Sequence, residues 1–196
     1  MMIILASSSP RRQQLLEQIG LAFQVVPSSV EEINDLELSS LEPTQLALKN
    51  ARRKAKQVAK RFPAGLVIGA DTLVAIGHQV LGKPKSEGEA RRMLGLLSGR
   101  EHQVITGLCV LDIGSGWERQ HAEVTRVKFR RLSAREIEAY VATGEPLDKA
   151  GAYGIQGKGA LLVEAVHGCF YNVVGLPLVA LDQILRDFGI NLLAPG

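Results

Sequence analysis

The sequence is poor in cysteine: of 196 residues, only Cys109 and Cys169 are thiols. Both sit singly in apolar, strand-like runs, which argues against a disulfide-stapled scaffold and predicts buried thiols in a reducing compartment. Aromatic residues are also scarce, with five Phe, three Tyr and one Trp. Most fall in core patterns, leaving few exposed rings for stacking on RNA or single strands. A net charge of only +3 points the same way, so no stable nucleic-acid partner is expected. No apolar run approaches the roughly 18 residues of a membrane span. Arg11 and Arg12 follow the apolar start MMIILA instead of preceding it, the reverse of a secretory signal, so a cytoplasmic protein without membrane contact is expected. Several catalytic signatures are missing as well. There is no P-loop, no dinucleotide fingerprint and no G-x-S-x-G elbow, and His78, His102, His121 and His167 lack zinc spacing. The length suits one domain over 1–196, with ample material for a core.

The chain is organised around Leu66 to Lys83, LVIGADTLVAIGHQVLGK. Leu66-Val67-Ile68 has the character of a strand buried on both faces. It runs through Gly69 and Ala70 into the carboxylate of Asp71, followed by Thr72. An unpaired carboxylate buried there would cost several kcal/mol or more. Asp71 therefore either meets a cation, a metal or a cleft mouth, or simply holds a turn. Ile76 to Val80 has the pattern of a hairpin, and Gly82-Lys83-Pro84 returns a cation toward the same end.

Before it, Ile3 to Ala6 is a short strand, and Ser7-Ser8-Ser9-Pro10 is a strong helix start. Arg11 and Arg12 fall in that helix's first turn, where each cation opposes the helix dipole by roughly 0.3–1 kcal/mol. The combination makes either an anion pocket suited to phosphate or a solvated basic pair. Phe23 to Val26 has the pattern of a second strand. Between Ser28 and Pro43 every charge is acidic, and Glu31 or Glu32 could join Asp71 on a divalent cation. Pro43 to Arg61 is a helix whose wheel places Ala47, Ala51, Lys54 and Val58 on one face. A lysine on such a face either snorkels to water or meets an anion.

Capping boxes at Ser86–Glu89 and Ser133–Glu136 open two further helices, and Val104 to Ile113 and Trp117 to Arg131 form an antiparallel pair. Leu147 to Ala160, LDKAGAYGIQGKGA, is too glycine-rich for a continuous helix. Lys149, Tyr153 and Gln156 there supply a cation, an aromatic face and a two-way amide, either for a nucleotide or within a structural loop. Leu161 to Val166 and Phe170 to Val174 have the pattern of paired strands, and a helix from Pro177 closes the chain. Cations, two candidate carboxylates and a glycine-rich loop suit phosphoryl chemistry with a hard divalent metal.

The segments LASSSPRR, GADT, GKP, LSGR with VITG, and LDKAGAYGIQG occur in order and at the expected spacing from Ile3 to the last helix. In this the sequence resembles the Maf family of nucleoside triphosphate pyrophosphatases, related in fold to the inosine triphosphate pyrophosphatases. The resemblance implies an α/β fold, with a long mixed, twisted sheet flanked by helices and two lobes around a central cleft. It implies cleavage of a nucleoside triphosphate between the α and β phosphates, with Mg, Mn or Co as cofactor, and a homodimer. Ala70-Asp71-Thr72 and Asp148 to Gly157 match the branch acting on dTTP and UTP rather than the 7-methyl-GTP branch. By that resemblance Asp71 is the catalytic carboxylate and Glu31 joins it on the metal. Ser7, Ser9, Arg11, Arg12, Lys54, Lys83, Lys149 and Tyr153 hold the nucleotide, and Arg11, Thr72 and Gln156 set base choice. A housecleaning enzyme is the first expectation. The family's link to septum formation makes a nucleotide-binding regulator the alternative, though such a binder has no need of Asp71.

Overall fold

The computed structural model describes residues 1–31, 33, 41–77 and 79–193. The chain divides into two compact units, Met1–Asp71 with Thr106–Glu123 and Gly175–Gly196, and Thr72–Ile105 with Val124–Val174. The fold is mixed α/β. Among the described residues one seven-stranded sheet runs in the order β2 (Gln24–Val25), β1 (Ile3–Leu5), β3 (Leu66–Ile76), β5 (Glu101–Asp112), β6 (Glu118–Phe129), β7 (Val163–His167), with β4 (Gln79–Leu81) paired to β3.

In the first unit, β1 (Ile3–Leu5) lies parallel to β2 (Gln24–Val25) on one side and to β3 (Leu66–Ile76) on the other. The second strand is thus shorter than Phe23–Val26. Parallel strands are covered on both faces, and Ile4, Leu5, Leu66, Val67 and Ile68 are all fully buried. Helices α1 (Pro10–Gln18) and α2 (Pro43–Ala59) also belong to this unit. Proline opens each, where the missing N–H has no intrahelical role. Leu46, Ala47, Asn50, Ala51, Ala55 and Val58 form the buried face of α2. Half of that face is alanine because the sheet meets it backbone to backbone. A Cβ on Gly69 of β3 would stand 2.3 Å from the carbonyl oxygen of Ala51. One on Gly107, in β5 (Glu101–Asp112), would stand 2.3 Å from that of Ala47.

In the second unit the end of β3 turns back into β4 (Gln79–Leu81), antiparallel with Ile76 opposite Gln79. The hairpin pattern is therefore realised. Helix α3 (Glu87–Leu97) follows, and β6 (Glu118–Phe129) ends in this unit. Arg126 is exposed while Val127 and Phe129 are buried, the alternation of a strand solvated on one face. Helix α4 (Ala134–Val141) carries the expected capping box, with Ser133 and Glu136 bonded reciprocally. At α3 the box is half made. Ser86 caps the Glu89 N–H, but the Glu89 carboxylate accepts from the Lys85 N–H at 2.8 Å instead.

Two expectations fail near the C-terminus. Residues Gly157–Leu162 wind into a 3-10 helix before β7 (Val163–His167), which pairs antiparallel with β6. Phe170–Val174 is helix α5, not the partner strand that its β-branched and aromatic residues suggest. Tertiary bonds override propensity there: Asn172 Nδ2 donates to the Val104 carbonyl at 3.0 Å and to Thr125 Oγ1 at 2.9 Å. Cys169, just before α5, is half-buried, so the expectation of a buried thiol holds for Cys109 alone. Burial pushes the Cys109 thiol up to about 12. Helix α6 (Leu178–Asp187) closes the first unit with Leu178, Leu181, Ile184 and Leu185 buried. No helix among the described residues is long and apolar enough to cross a membrane.

Candidate active site

The loop from β1 to α1 is shaped by its own side chains. Ser9 is the N-cap of α1 in extended conformation, yet its hydroxyl makes no capping bond. Its N–H donates instead to Ser7 Oγ at 3.2 Å. Arg12, in the first turn of the helix, is buried and spans three chain segments. Its Nη1 donates to Ser7 Oγ at 3.1 Å and to the Ala70 carbonyl at 3.0 Å, and its Nε donates to the Gly175 carbonyl at 2.8 Å. The two arginines thus separate. Arg12 braces the loop against the middle of β3, while Arg11 is half-buried beside it in the first turn. The dipole penalty of a buried cation at this end is offset by those three charge-assisted hydrogen bonds.

The brace holds the residue immediately before Asp71. The Asp71 side chain is almost fully buried, and α2 serves both of its oxygens. Lys54 Nζ meets Oδ1 at 2.5 Å, and Asn50 Nδ2 donates to Oδ2 at 3.0 Å. The Lys54 side chain is 14% exposed, so this lysine meets an anion and does not snorkel. Gly69 and the alanine face of α2 bring the helix close enough for these bonds. A carboxylate in this position is tolerable only because it is paired and hydrogen-bonded.

Asn50 was not among the residues singled out from sequence. Its Oδ1 is buried and has no hydrogen-bond partner among the described residues. The signal was present in the wheel, since position 50 lies between Ala47 and Lys54 on the same face. Glu31 is exposed in irregular chain, and Glu32 lies outside the described residues.

The second unit carries the remaining candidates. Thr72, next to Asp71 in β3, is half-buried, and Lys83 is exposed. The glycine-rich loop is tied to the Lys83 segment by the Gly151 N–H, which donates to the Gly82 carbonyl at 3.0 Å. Within the loop Lys149 folds back on its own backbone, donating to the Glu145 carbonyl and to Asp148 Oδ1, both at 2.7 Å. Tyr153 is not a free stacking face. It is 5% exposed, its ring packs edge-on against His102 and Phe129, and its hydroxyl shares a 2.8 Å hydrogen bond with His102 Nε2. Burial lowers the pKa of His102 to about 4, keeping it neutral, and raises that of Tyr153 far above the ordinary tyrosine range. Gln156, just before the 3-10 helix, is exposed.

The structure therefore gathers Ser7, Arg12, Lys54 and Asp71 around the middle of β3, with Asn50 added. It makes Lys149 and Tyr153 anchors of the loop that presents Gln156. Among the described residues no three His, Cys, Asp or Glu side chains cluster as a metal site. The hard oxygens of Asp71 and Glu31 still suit a divalent cation that keeps water and phosphate as its other ligands. A buried carboxylate flanked by a lysine and an amide can accept a proton from water or hold such a cation.

Comparison with known proteins fits this arrangement. A family model described as Maf-like protein matches residues 2–188. A dTTP/UTP pyrophosphatase of Thermococcus onnurineus is 54% identical over 192 residues, covering 98% of this chain and 100% of that protein. One of Methanosarcina barkeri is 52% identical over 195 residues, covering 99% and 98%. One of Carboxydothermus hydrogenoformans is 50% identical over 189 residues, covering 96% and 100%. A solved nucleoside-triphosphatase (dITP/XTP pyrophosphatase) of Mycobacterium abscessus aligns over 96% of this chain and 98% of its own, at 15% identity and a TM-score of 0.47. With residues 2–188 matched by that family model and the three pyrophosphatases at 50% identity or more over nearly the whole chain, the chain belongs to the Maf family.

Proposed function

We propose that this protein hydrolyses dTTP and UTP to the monophosphate and pyrophosphate, working as one domain over residues 1–196. The observation that carries the reading is Asp71, a buried carboxylate with both oxygens held by donors from α2. The names of the relatives, dTTP/UTP pyrophosphatases at about half identity over nearly the whole chain, supply the substrate class. The reaction adds water across the α–β phosphoanhydride. Asp71 takes the proton of the attacking water, the new P–O bond forms at the α phosphorus, and pyrophosphate leaves with the electron pair of the broken bond.

Lys54 and Arg11 meet the negative charge that grows on the leaving oxygens, with Lys83 as a further cation. Arg12 acts differently, by fixing Ser7 and the Ala70 carbonyl beside the reacting carboxylate. Gln156 presents one donor and one acceptor, the pair that a uracil-type edge requires, and Lys149 and Tyr153 hold its loop in shape. Thr72 and Arg11 complete the base selection. Asp71 and Glu31 would hold a Mg, Mn or Co ion, which when bound neutralises phosphate charge and polarises the P–O bonds. The family resemblance also supports a cytoplasmic homodimer, which sedimentation at micromolar concentration tests.

The test is pyrophosphate release from dTTP, UTP, CTP, 7-methyl-GTP and the purine triphosphates, with D71N as control. Preferred turnover of dTTP and UTP, at least a thousandfold lower in D71N while nucleotide binding persists, is expected. Turnover of 7-methyl-GTP instead would overturn the base assignment, and near-normal turnover by D71N would reject Asp71 as the base. Binding without any turnover would favour the regulator.

A further inference from the structure

We infer that Asn50 is the positioning residue for Asp71, an inference that rests on the pyrophosphatase reading above. Its amide is 3% exposed, on the face of α2 that Gly69 admits to the sheet. Its Nδ2 donates to Asp71 Oδ2 at 3.0 Å, while Lys54, one turn later on the same helix, takes Oδ1. The two donors are not equivalent. Lysine carries a point charge on a flexible four-carbon stem, and its three N–H bonds swing readily toward a phosphate. Asparagine has two side-chain torsions and a planar head held by packing. When the polyphosphate arrives and draws the Lys54 ammonium toward itself, the Asn50 amide alone keeps the carboxylate in its plane.

The other end of that amide supports the assignment. Asn50 Oδ1 is buried without a hydrogen-bond partner among the described residues, and an unsatisfied buried acceptor is destabilising. An apolar residue of equal volume avoids that penalty. The residue at 50 therefore works against stability through its oxygen and is useful through its nitrogen, whose bond ends on the group that takes the proton. A carboxylate displaced by less than 1 Å still permits substrate to bind but slows the reacting step.

The test compares N50L, which fills the space without a donor, and N50S, which keeps a donor in less volume. Steady-state pyrophosphate release from dTTP and UTP gives kcat and KM, binding of a non-hydrolysable α,β-imido analogue gives Kd, and thermal melting reports on the fold. The expected result for N50L is a 10–100-fold fall in kcat, with KM and Kd within twofold of the parent and melting within a few degrees. N50S should regain at least threefold of that kcat despite its cavity. An N50L kcat within threefold of the parent overturns the positioning role while leaving the pyrophosphatase reading intact. So does a loss that appears in KM, Kd and melting together, which marks Asn50 as merely structural. An unsubstituted enzyme that releases no pyrophosphate from any nucleotide overturns both, and that baseline separates the two failures.

Discussion

A buried polar cluster in the first unit and a buried polar pair in the second are built on opposite terms. In the first, Asp71, Lys54 and Asn50 form an ionic cluster at the middle of β3, with charge on either side of the hydrogen bond. In the second, His102 and Tyr153 form a neutral pair walled by Phe129, with no formal charge at all. An ionic cluster pays for its desolvation only while all its members stay in register, so it needs a rigid frame; the closely seated α2 supplies one. A neutral pair costs less to bury and can serve as a plain fastener, here for the loop that carries Gln156. The difference separates a part built to react from a part built to hold.

The largest break in this contrast should come from the frame. Gly69→Ala forces α2 away from β3, and we expect a loss of roughly 3 kcal/mol of stability together with a fall in kcat exceeding a hundredfold. Urea unfolding beside steady-state assays checks both, and wild-type kcat in the substituted protein would show that the close approach is unnecessary.

The neutral pair should give an acid response instead. His102 stays neutral in the folded protein down to about pH 4, whereas the unfolded chain titrates at its ordinary 6.5. Its contribution is therefore complete above pH 6.5 and drains away as pH falls toward 4, by roughly 3 kcal/mol in all. Urea midpoints between pH 7 and 4.5 read the slope, which H102Q should flatten; an unchanged slope refutes this origin.

A smaller effect sharpens the distinction between holding and reacting. Lys149→Met keeps the hydrocarbon stem against Gly154 but removes both 2.7 Å bonds. We expect about 1–2 kcal/mol of lost stability and a KM raised severalfold with kcat nearly intact. A fall in kcat alone would mean that Lys149 touches the reacting phosphates. The least effect belongs to the surface. Glu118 pairs with Arg52 and Lys56 at 2.5 and 3.3 Å, and Glu118→Gln should cost less than about 1 kcal/mol, with activity unaltered.

Where local rules govern, the sequence was readable. Proline-opened helices, the Ser133–Glu136 box and the double-sided burial of Leu66-Val67-Ile68 follow from residue type and spacing. Asp71 and Lys54 announced themselves as charges in apolar settings. What escaped was set by partners far along the chain. Phe170–Val174 has strand residues but is helical because Asn172 is bonded to Val104 and Thr125. Tyr153 looked like a base platform until His102, 51 positions away, claimed its hydroxyl. Asn50 escaped because an amide among alanines looks like an ordinary polar residue unless the carboxylate facing it is known.

The Arg12 brace carries a consequence for synthesis. Its Nε bond ends on the Gly175 carbonyl, 163 positions further along the chain. A growing chain on the ribosome has Ser7, Arg12 and Ala70 early, but the brace stays incomplete until Gly175 has emerged. Such long-range closures come late in folding. Nascent chains, and fragments truncated before Gly175, therefore lack the finished β1–α1 loop, and a nucleotide meets a working surface only once Gly175 is in place.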